Sequence, residues 1–206
     1  MEQVTGIIVS YNTRNLLCKC VESIRKFYPT MKLIIIDGSK PSDPCYYFAR
    51  SLINYVTKVH SVNRNIGHGE GMNLGISKCE SEYFLLIDSD TVINGNIIPE
   101  MLDKIKNSYG VGQVVNVDNN GMNTDKGIKY LHPYFALINK DQYFKYLPII
   151  HHGAPMINSM IDINKKKKSK LLIDFPVEKY VKHLGRGTRA LNPKDFHPKH
   201  WDKITV

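Results

Sequence analysis

The chain has 206 residues, a net charge of +9 and a hydrophobic fraction of 42%. This composition is typical of a globular protein and excludes disordered, collagen-like and disulfide-scaffold classes, while the length suits one compact domain with a C-terminal extension. The excess of 28 Lys and Arg over 19 Asp and Glu residues favours an anionic partner such as a nucleic acid, an acidic membrane face or a phosphorylated substrate.

The first half of the chain alternates between apolar runs and helical patterns. Strands are predicted at 6–10, 32–36, 58–62 and 83–87, and helices at about 15–28, 43–55, 69–78 and 97–107. This order predicts an α/β sandwich with a largely parallel sheet, whose ligands lie at the carboxyl ends of the strands.

The second half breaks this rhythm. Strands are predicted at 111–117, 134–138 and 171–175, with an Asn/Gly-rich loop at 118–127, helices at 140–146 and 154–163, an exposed lysine turn at 165–168 and a polar tail at 193–206. The sheet is therefore expected to be mixed.

The expected cellular location of the protein and the redox state of its cysteines follow from features that the sequence lacks. No apolar run approaches the roughly 18 residues of a membrane-spanning helix, and the start of the chain does not resemble a secretory signal. Cys18, Cys20, Cys45 and Cys79 show no paired CxxC spacing. We expect a cytoplasmic protein with reduced thiols, with at most peripheral contact at the inner membrane face.

Two carboxylates follow the strand predicted at 83–87. Apolar and aromatic residues run directly into Asp88, Ser89 and Asp90, so both carboxylates lie at the end of a buried strand. Such a pair can share a hard divalent cation, which would neutralise phosphate oxygens. The alternative is an Asp/Ser turn that caps the following helix.

A glycine-rich segment, NIGHGEGMNLG, opens the helix that precedes this strand and contains Asn65, Gly67 and Asn73. Glycines allow the backbone to approach a ligand closely, and a helix N-terminus presents N–H groups to an anion. The spacing fits neither the P-loop nor the dinucleotide fingerprint. The segment either cradles part of a nucleotide or is a flexible turn.

Four motifs occur in order: IIVSYN at 7–12, IIIDGS at 34–39, NIGHGEGMNLG at 65–75 and LLIDSD at 85–90. Together they resemble the N-terminal half of a family 2 glycosyltransferase with the GT-A fold. Each motif alone is common, but the series is specific.

The resemblance implies a single GT-A domain at 1–190, a Rossmann-like three-layer α/β/α sandwich. Its nucleotide-binding half would be about 1–108 and its acceptor-binding half about 109–190, with a C-terminal extension at 191–206. The implied enzyme moves a sugar from a nucleotide-diphospho-sugar, with UDP- and GDP-sugars favoured, to a hydroxyl of a glycan, a lipid-linked molecule or a protein. It would be metal-dependent and inverting, with Mn²⁺ or Mg²⁺ as cofactor.

The resemblance also implies roles for individual residues. Asp37 would hydrogen-bond the base, Asp88 would contact the ribose or sugar, and Asp90 would bind the metal, with Asp88 beside it. The nucleotide-sugar contacts that it implies are Ser10, Tyr11, Asn12, Asp37, Asn65, Gly67, Asn73, Asp88 and Ser89. The structural alternatives are a strand-end turn for Tyr11 and Asn12 and an Asx-turn for Asp37.

The segment FPVEKYVKHLGRGTR at 175–189 is similar to one in which some GT-A enzymes place a late histidine on the metal, here His183. An imidazole ligand favours manganese over magnesium. Arg186 and Arg189 would grip the diphosphate with planar guanidinium groups. Otherwise these residues are a surface histidine and solvated arginines.

The catalytic base is the least defined element, because the family's acidic pair in the second half does not occur here. Asp162 is the candidate, since it interrupts an apolar helical series that would raise its pKa, although it also fits an exposed polar face. His151 and His152 are the alternatives, as base or as acceptor contacts.

Competing classes differ in what they require. A sugar-phosphate nucleotidyltransferase needs a basic glycine-rich loop near the N-terminus, and SYNTRN at 10–15 contains no glycine. A nucleic-acid role is not expected, because the basic residues are scattered and no RNA-binding motif occurs. A non-catalytic relative that binds nucleotide-sugars or glycans remains open.

Overall fold

The computed structural model describes residues 3–150, 153–185, 187–192 and 194. The strands are β1 Val4–Ser10, β2 Lys32–Asp37, β3 Thr57–Ser61, β4 Tyr83–Asp88, β5 Thr91–Ile93, β6 Gly110–Gly112, β7 Val114–Val117, β8 Ile128–Leu131, β9 Phe135–Asn139, β10 Leu172–Asp174 and β11 Val181–His183. The helices are α1 Arg14–Phe27, α2 Pro44–Ser51, α3 His68–Ser77, α4 Ile98–Ile105, α5 Lys140–Tyr143, α6 Ile157–Lys165 and α7 Gly187–Leu191.

The central sheet of the described chain has the order β10-β6-β9-β4-β1-β2-β3. Strand β9 runs antiparallel to both of its neighbours, β4 and β6, and every other neighbouring pair is parallel. The prediction of a mixed, mostly parallel sheet is therefore confirmed.

Helices cover both faces of this sheet. Successive side chains of a strand point to opposite faces, and here the side chains on both faces are apolar and need to be buried. In β2, Leu33 and Ile35 enter the core beneath α1, α2 and α4, whereas Ile34 and Ile36 enter the core beneath α3, α5 and α6. A strand that is buried on both faces reads as a continuous apolar run, which is the pattern of KLIII. The three-layer α/β/α arrangement follows from these two cores.

Helix termini follow local signals in the sequence. Pro44 opens α2, and the Asp43 carboxylate caps it by accepting a hydrogen bond from the Cys45 N–H at 2.8 Å. On α1, buried residues recur at helical spacing at Leu17, Cys20, Val21 and Ile24.

Several short strands differ from the prediction. The strand predicted at 111–117 is two strands, because the chain leaves the central sheet at Gln113, so that β6 pairs with β9 while β7 pairs with β8. Strands β5, β8 and β11 were not predicted. The helix predicted at 154–163 is α6, which extends to Lys165, so the lysine turn begins at Lys166.

The structure bears on the state of the cysteines and on membrane-spanning helices. All four cysteines are free, and Cys20, Cys45 and Cys79 are buried, which agrees with structural thiols. No helix within the described residues is long and apolar enough to cross a membrane.

Gly75 on α3 packs so closely on β1 that an added Cβ would collide with the Ile7 side chain. Alanine favours a helix over glycine by about 1 kcal/mol. We nevertheless expect Gly75→Ala to destabilise the protein by about 1–3 kcal/mol, because overpacking outweighs that gain. Urea denaturation measures the change, with Ser77→Ala at the exposed end of α3 as the control. A more stable Gly75→Ala protein would show that α3 can move away from β1.

Candidate active site

A cavity of about 350 Å³ opens at the carboxyl edge of the central sheet. Its walls come from the ends of β1 and β4, the start of α3, the β7–β8 ribbon, the segment 153–155 and the segment that follows β11. The polar residues that line it include Ser10, Tyr11, Asn65, His68, Asp88, Ser89, Asp90, Asn123, Tyr130, His132, His183 and Thr188.

Asp88, Asp90 and His183 meet in this cavity. The Nε2 atom of His183 lies 3.3 Å from Asp88 Oδ2 and 3.1 Å from Asp90 Oδ1. One potential ligand atom from each residue lies within 4.8 Å of the others. Two carboxylates and one imidazole form a donor set that suits a divalent transition-metal ion.

The register of two distant strands brings His183 to the carboxylates. Strand β11 pairs antiparallel with β5, and His183 stands opposite Thr91, the residue after Asp90. The Leu184 N–H donates to the Asp90 carbonyl at 3.2 Å. The Tyr134 ring stacks on the His183 ring at 4.7 Å between centroids with a 7° interplanar angle, which fixes the imidazole plane.

A fourth residue, His68 at the start of α3, contacts the same cluster. Its Nε2 atom lies 3.0 Å from Asp88 Oδ1. Burial disfavours the charged form of Asp88, but the charges and hydrogen bonds of His68 and His183 outweigh burial and hold the pKa of Asp88 well below its usual range. Asp88 is therefore ionised throughout the physiological pH range.

The pKa values of His183 and His132 are shifted in opposite directions. Burial lowers the pKa of His183, but the hydrogen bonds that its ring donates to Asp88 and Asp90, together with their negative charges, dominate and raise the pKa to about 9. Burial also lowers the pKa of His132, and there the opposing charge of Asp88 does not reverse the shift. Near neutral pH His183 is cationic and His132 is neutral.

The segment after β11 contacts Asp90 and the end of β1 through hydrogen bonds. The Gly187 N–H donates to Asp90 Oδ2 at 3.0 Å, and the Asn192 side-chain amide donates to the Tyr11 carbonyl at 3.4 Å. Asp90 is 6% exposed, and its two oxygens are oriented by contacts with His183 and Gly187. Such supporting hydrogen bonds tune the orientation of metal ligands.

Most of the residues predicted from the sequence lie together at the cavity: Ser10, Tyr11, Asn65, Gly67, Asp88, Ser89, Asp90 and His183. Asn12, Asp37 and Asn73 do not line it. Asp37 is fully buried, and its Oδ1 atom accepts hydrogen bonds from the backbone N–H and the hydroxyl of Ser39 at 3.2 and 2.7 Å. Burial raises the pKa of Asp37.

The side chain of Asn73 is already engaged, because its Oδ1 atom accepts a hydrogen bond from the Tyr143 hydroxyl at 3.2 Å. The backbone N–H of Asn12 donates to the Ser39 hydroxyl at 2.9 Å. Direct contacts of Asp37, Asn12 and Asn73 with a nucleotide remain predictions.

Asp162 does not lie at the cavity lining. Its Oδ2 atom is 2.9 Å from Lys166 Nζ, an ion pair across one turn of α6. The geometry thus favours the alternative, a polar helix face, over a catalytic base. His151, His152 and Arg186 lie outside the described residues, as does the side chain of Arg189.

His68 and His132 were missed in the sequence. His68 stands inside the glycine-rich motif, directly after Gly67 at the point where a helix begins, and that position was the available signal. His132 follows β8, which was not recognised as a strand. Had β8 been recognised, His132 would have been placed at a strand end.

A mixed sheet of this order, with paired aspartates where β4 ends over a cavity, is the arrangement that the resemblance to the GT-A fold implied. The model of the family described as "Glycosyl transferase family 2" matches residues 5–163. The chain belongs to this family.

Curated relatives match part of the chain. Glycosyltransferase GlyG of Streptococcus pneumoniae serotype 4 is 28% identical over 109 residues, which are 51% of this chain and 36% of GlyG. A teichoic acid poly(glycerol phosphate) polymerase of Staphylococcus epidermidis is 24% identical over 114 residues, 54% of this chain and 16% of the polymerase. The match thus spans about a third or less of either relative's length.

Solved structures agree on the fold. S. aureus TarS 1-349 aligns with a TM-score of 0.61 and 14% identity, covering 92% of this chain and 63% of that protein. The mannosyltransferase PcManGT from Pyrobaculum calidifontis, solved with GDP-Man and Mn²⁺, aligns with a TM-score of 0.57 and 14% identity, covering 84% of this chain and 55% of PcManGT.

Gly187→Ala should weaken metal binding. A Cβ atom at this position would lie 2.8 Å from both Asp90 Oδ2 and Leu16 Cδ1, so the Asp90 side chain or the Gly187 backbone must shift, and either shift disturbs the hydrogen bond between them. We expect the apparent Mn²⁺ affinity to fall about tenfold, measured by isothermal titration calorimetry. Ala190→Ser, on the same short helix, is the matched control. Unchanged affinity would mean that the Gly187 contact does not orient Asp90.

Proposed function

We propose that this protein transfers a sugar from a nucleotide-diphospho-sugar to an acceptor hydroxyl with a divalent metal ion as cofactor. The observation that carries the proposal is the meeting of Asp88, Asp90 and His183 in one cavity at the carboxyl edge of the sheet. The mechanism proposed is a single displacement with inversion, in which the nucleoside diphosphate leaves as the acceptor oxygen attacks.

The donor set fits the proposed metal. Asp88 and Asp90 supply carboxylate oxygens and His183 supplies an imidazole nitrogen, a mixture that favours Mn²⁺ over Mg²⁺. When bound, the ion would neutralise charge that develops on the leaving diphosphate. His68, beside Asp88, lies close enough to add a second positive group there when protonated.

The donor class is supported by structural relatives of this fold. PcManGT is described in complex with GDP-Man and Mn²⁺, and TarS 1-349 in complex with UDP aligns with a TM-score of 0.59. We propose a UDP- or GDP-sugar as donor, held between Tyr11 at the end of β1 and Asn65 and Gly67 before α3. The acceptor is a glycan, a lipid-linked molecule or a protein.

The acceptor's proton needs a base, and His132 does not fit this role. Its Nδ1 atom accepts the Tyr134 N–H at 3.4 Å, which places the imidazole proton on Nε2 and makes the free edge a donor. We propose His132 as a hydrogen-bond donor to a sugar or acceptor oxygen. His151 or His152, next in the chain to the cavity-lining segment 153–155, is the proposed base or acceptor contact.

The base is tested with His151→Gln, His152→Gln and Asp162→Asn. Loss of general-base catalysis should lower turnover about 10²–10⁴-fold without changing donor binding. We expect this result for one histidine variant and near-normal turnover for Asp162→Asn, because Asp162 pairs with Lys166 away from the cavity. Loss of turnover in Asp162→Asn alone would restore the aspartate as base.

The donor site is tested first by a thermal-shift screen. UDP, GDP, CMP and dTDP, with their common sugar conjugates, are tested with and without Mn²⁺ on the wild-type protein and on Asp90→Asn. A ligand that binds only the folded state raises the unfolding midpoint. We expect a Mn²⁺-dependent shift with UDP or GDP that Asp90→Asn lacks. No shift with any nucleotide would overturn the proposed donor site.

A non-catalytic relative is the second candidate. Among the described residues that line the cavity, Asp88 and Asp90 are the only carboxylates, so the family's acidic base has no counterpart there. This candidate predicts donor binding without sugar transfer or donor hydrolysis. A product analysis with the donor identified by thermal shift separates it from the enzyme.

A further inference from the structure

An exposed apolar patch lies on the second half of the chain, outside the cavity lining. Phe144, Leu147 and Ile150 expose 64%, 51% and 42% of their surface. Single exposed apolar residues are normal on any protein, but three on one seven-residue segment are a concentration of exposed apolar surface that indicates an interaction site.

A cluster of lysines borders this patch. Lys145 and the lysines at 165–168 are all exposed. The end of α6 packs against the patch, because Lys166 Nζ lies 3.4 Å from the Lys145 carbonyl and 5.0 Å from the centre of the Tyr146 ring. The Ser159 hydroxyl also donates to the Leu147 carbonyl at 2.6 Å, which joins the two segments.

The local charge balance is positive. Five lysines, Lys145 and 165–168, face two neighbouring acidic groups, Asp141 and Asp162. Asp162 pairs with Lys166, so its charge is already compensated within the cluster. Among the described residues, no carboxylate forms an ion pair with Lys145, Lys165, Lys167 or Lys168.

We propose that this basic-apolar surface, formed by Phe144, Lys145, Leu147, Ile150 and the lysines at 165–168, docks the protein on a membrane that contains anionic lipid. Apolar side chains would enter the boundary between headgroups and acyl chains while the lysines contact lipid phosphates. A nucleic acid would match the lysines but would leave the aliphatic side chains without a partner.

The surface lies close to the mouth of the cavity. Ile150 is three residues from Gly153, which lines the cavity, so their Cα atoms are at most about 11 Å apart. A docked protein would therefore hold the cavity near the membrane, within reach of an acceptor that a lipid carries. The docking inference does not depend on the proposed transfer activity.

Vesicle co-sedimentation of the full chain tests the proposal. We expect binding to vesicles of phosphatidylglycerol and phosphatidylcholine, no binding to phosphatidylcholine alone, and release by added salt. The variant Lys165→Gln/Lys167→Gln/Lys168→Gln keeps the Lys166 ion pair and should lower the partition coefficient about a hundredfold, roughly fivefold for each lysine. Phe144→Ser/Leu147→Ser should lower it at least about tenfold.

Matched controls change the same groups elsewhere on the surface. Lys19→Gln/Lys26→Gln/Lys40→Gln removes the same charge, and Tyr47→Ser/Ile53→Ser removes exposed apolar groups from another site. We expect both control variants to bind vesicles like the wild-type protein.

Three results would overturn the proposal: no binding to anionic vesicles, equal losses in the control and test variants, or binding to soluble polyglutamate in preference to vesicles. The last would assign the surface to an acidic protein partner. Donor binding, measured by thermal shift, should be the same in all of these variants, so a failed donor site and a failed docking surface are distinguishable.

Discussion

Asp90→Asn is expected to lower sugar transfer about a thousandfold or more, because it removes a metal ligand whose charge stabilises the transition state. Both oxygens of Asp90 face donors in the structure: Oδ1 lies 3.1 Å from His183 Nε2 and Oδ2 accepts the Gly187 N–H at 3.0 Å. An asparagine presents one oxygen and one NH₂ group, so one of these donors must face another donor. The substitution therefore removes both the charge and the orientation.

The measurement is turnover with the donor that the thermal-shift screen identifies, together with Mn²⁺ affinity by calorimetry. Asp103→Asn, an exposed carboxylate on α4, is the matched control and should retain wild-type turnover. Circular dichroism establishes that Asp90→Asn is folded. Turnover within a few-fold of wild type would remove Asp90 from the metal site and leave the proposed mechanism without its central group.

The longer elements could be predicted because local patterns determine them. Strands β1, β2 and β4 are buried on both faces and read as apolar runs, and α1 shows a clear 3.6-residue period. Asp88 and Asp90 could be placed for the same reason, since a polar residue that directly follows a buried strand must emerge at the edge of the sheet.

The short strands depend on long-range partners that local pattern does not show. Strands β5 and β11 have three residues each and pair across about 90 positions. The position of His183 beside Asp90 depends on that pairing. The sequence suggested His183 only through resemblance, and the antiparallel register supplies the physical reason.

The hydrogen-bond and ion-pair partners of polar side chains could not be predicted from the sequence either. Asn73 and Asp162 have residue types suited to a site, but Asn73 bonds Tyr143 and Asp162 pairs with Lys166. A sequence pattern indicates that a polar residue lies near an edge or on a helix face, whereas its partner depends on how neighbouring elements pack. His68 and His132 illustrate the converse, because packing recruits them to a cluster that motif spacing did not include.

Above neutral pH, a strong pH effect on stability should come from His183. Its folded-state pKa is raised to about 9 by Asp88 and Asp90, so its protonated form stabilises the folded protein. This contribution is fully present below the unfolded pKa of about 6.5 and disappears as the pH rises through about 9. Asp88 contributes in the opposite direction, because its pKa is lowered. The stabilisation from ionised Asp88 is lost only at acidic pH, below the ordinary pKa of an aspartate.

Without metal, the wild-type protein should therefore lose about 3 kcal/mol of stability relative to His183→Gln between about pH 6 and 9.5, an upper value because the three groups titrate together. Urea denaturation in EDTA measures the difference. A difference that stays constant with pH would show that the His183 pKa is not raised.

Metal binding should have the opposite pH dependence, because a cation and a proton compete for the same imidazole nitrogen. From about pH 6.5 to 8.5 His183 must lose its proton to become a ligand, so the apparent Mn²⁺ affinity should rise about tenfold per pH unit. His183→Gln should bind Mn²⁺ more weakly, and its affinity should not rise with pH in this way. His132 is neutral and makes no ion pair with either carboxylate in the described structure, so His132→Gln should keep the pH dependence of the wild-type protein. The same slope in wild type and His183→Gln would exclude His183 as a ligand, since another titrating group would then control metal binding.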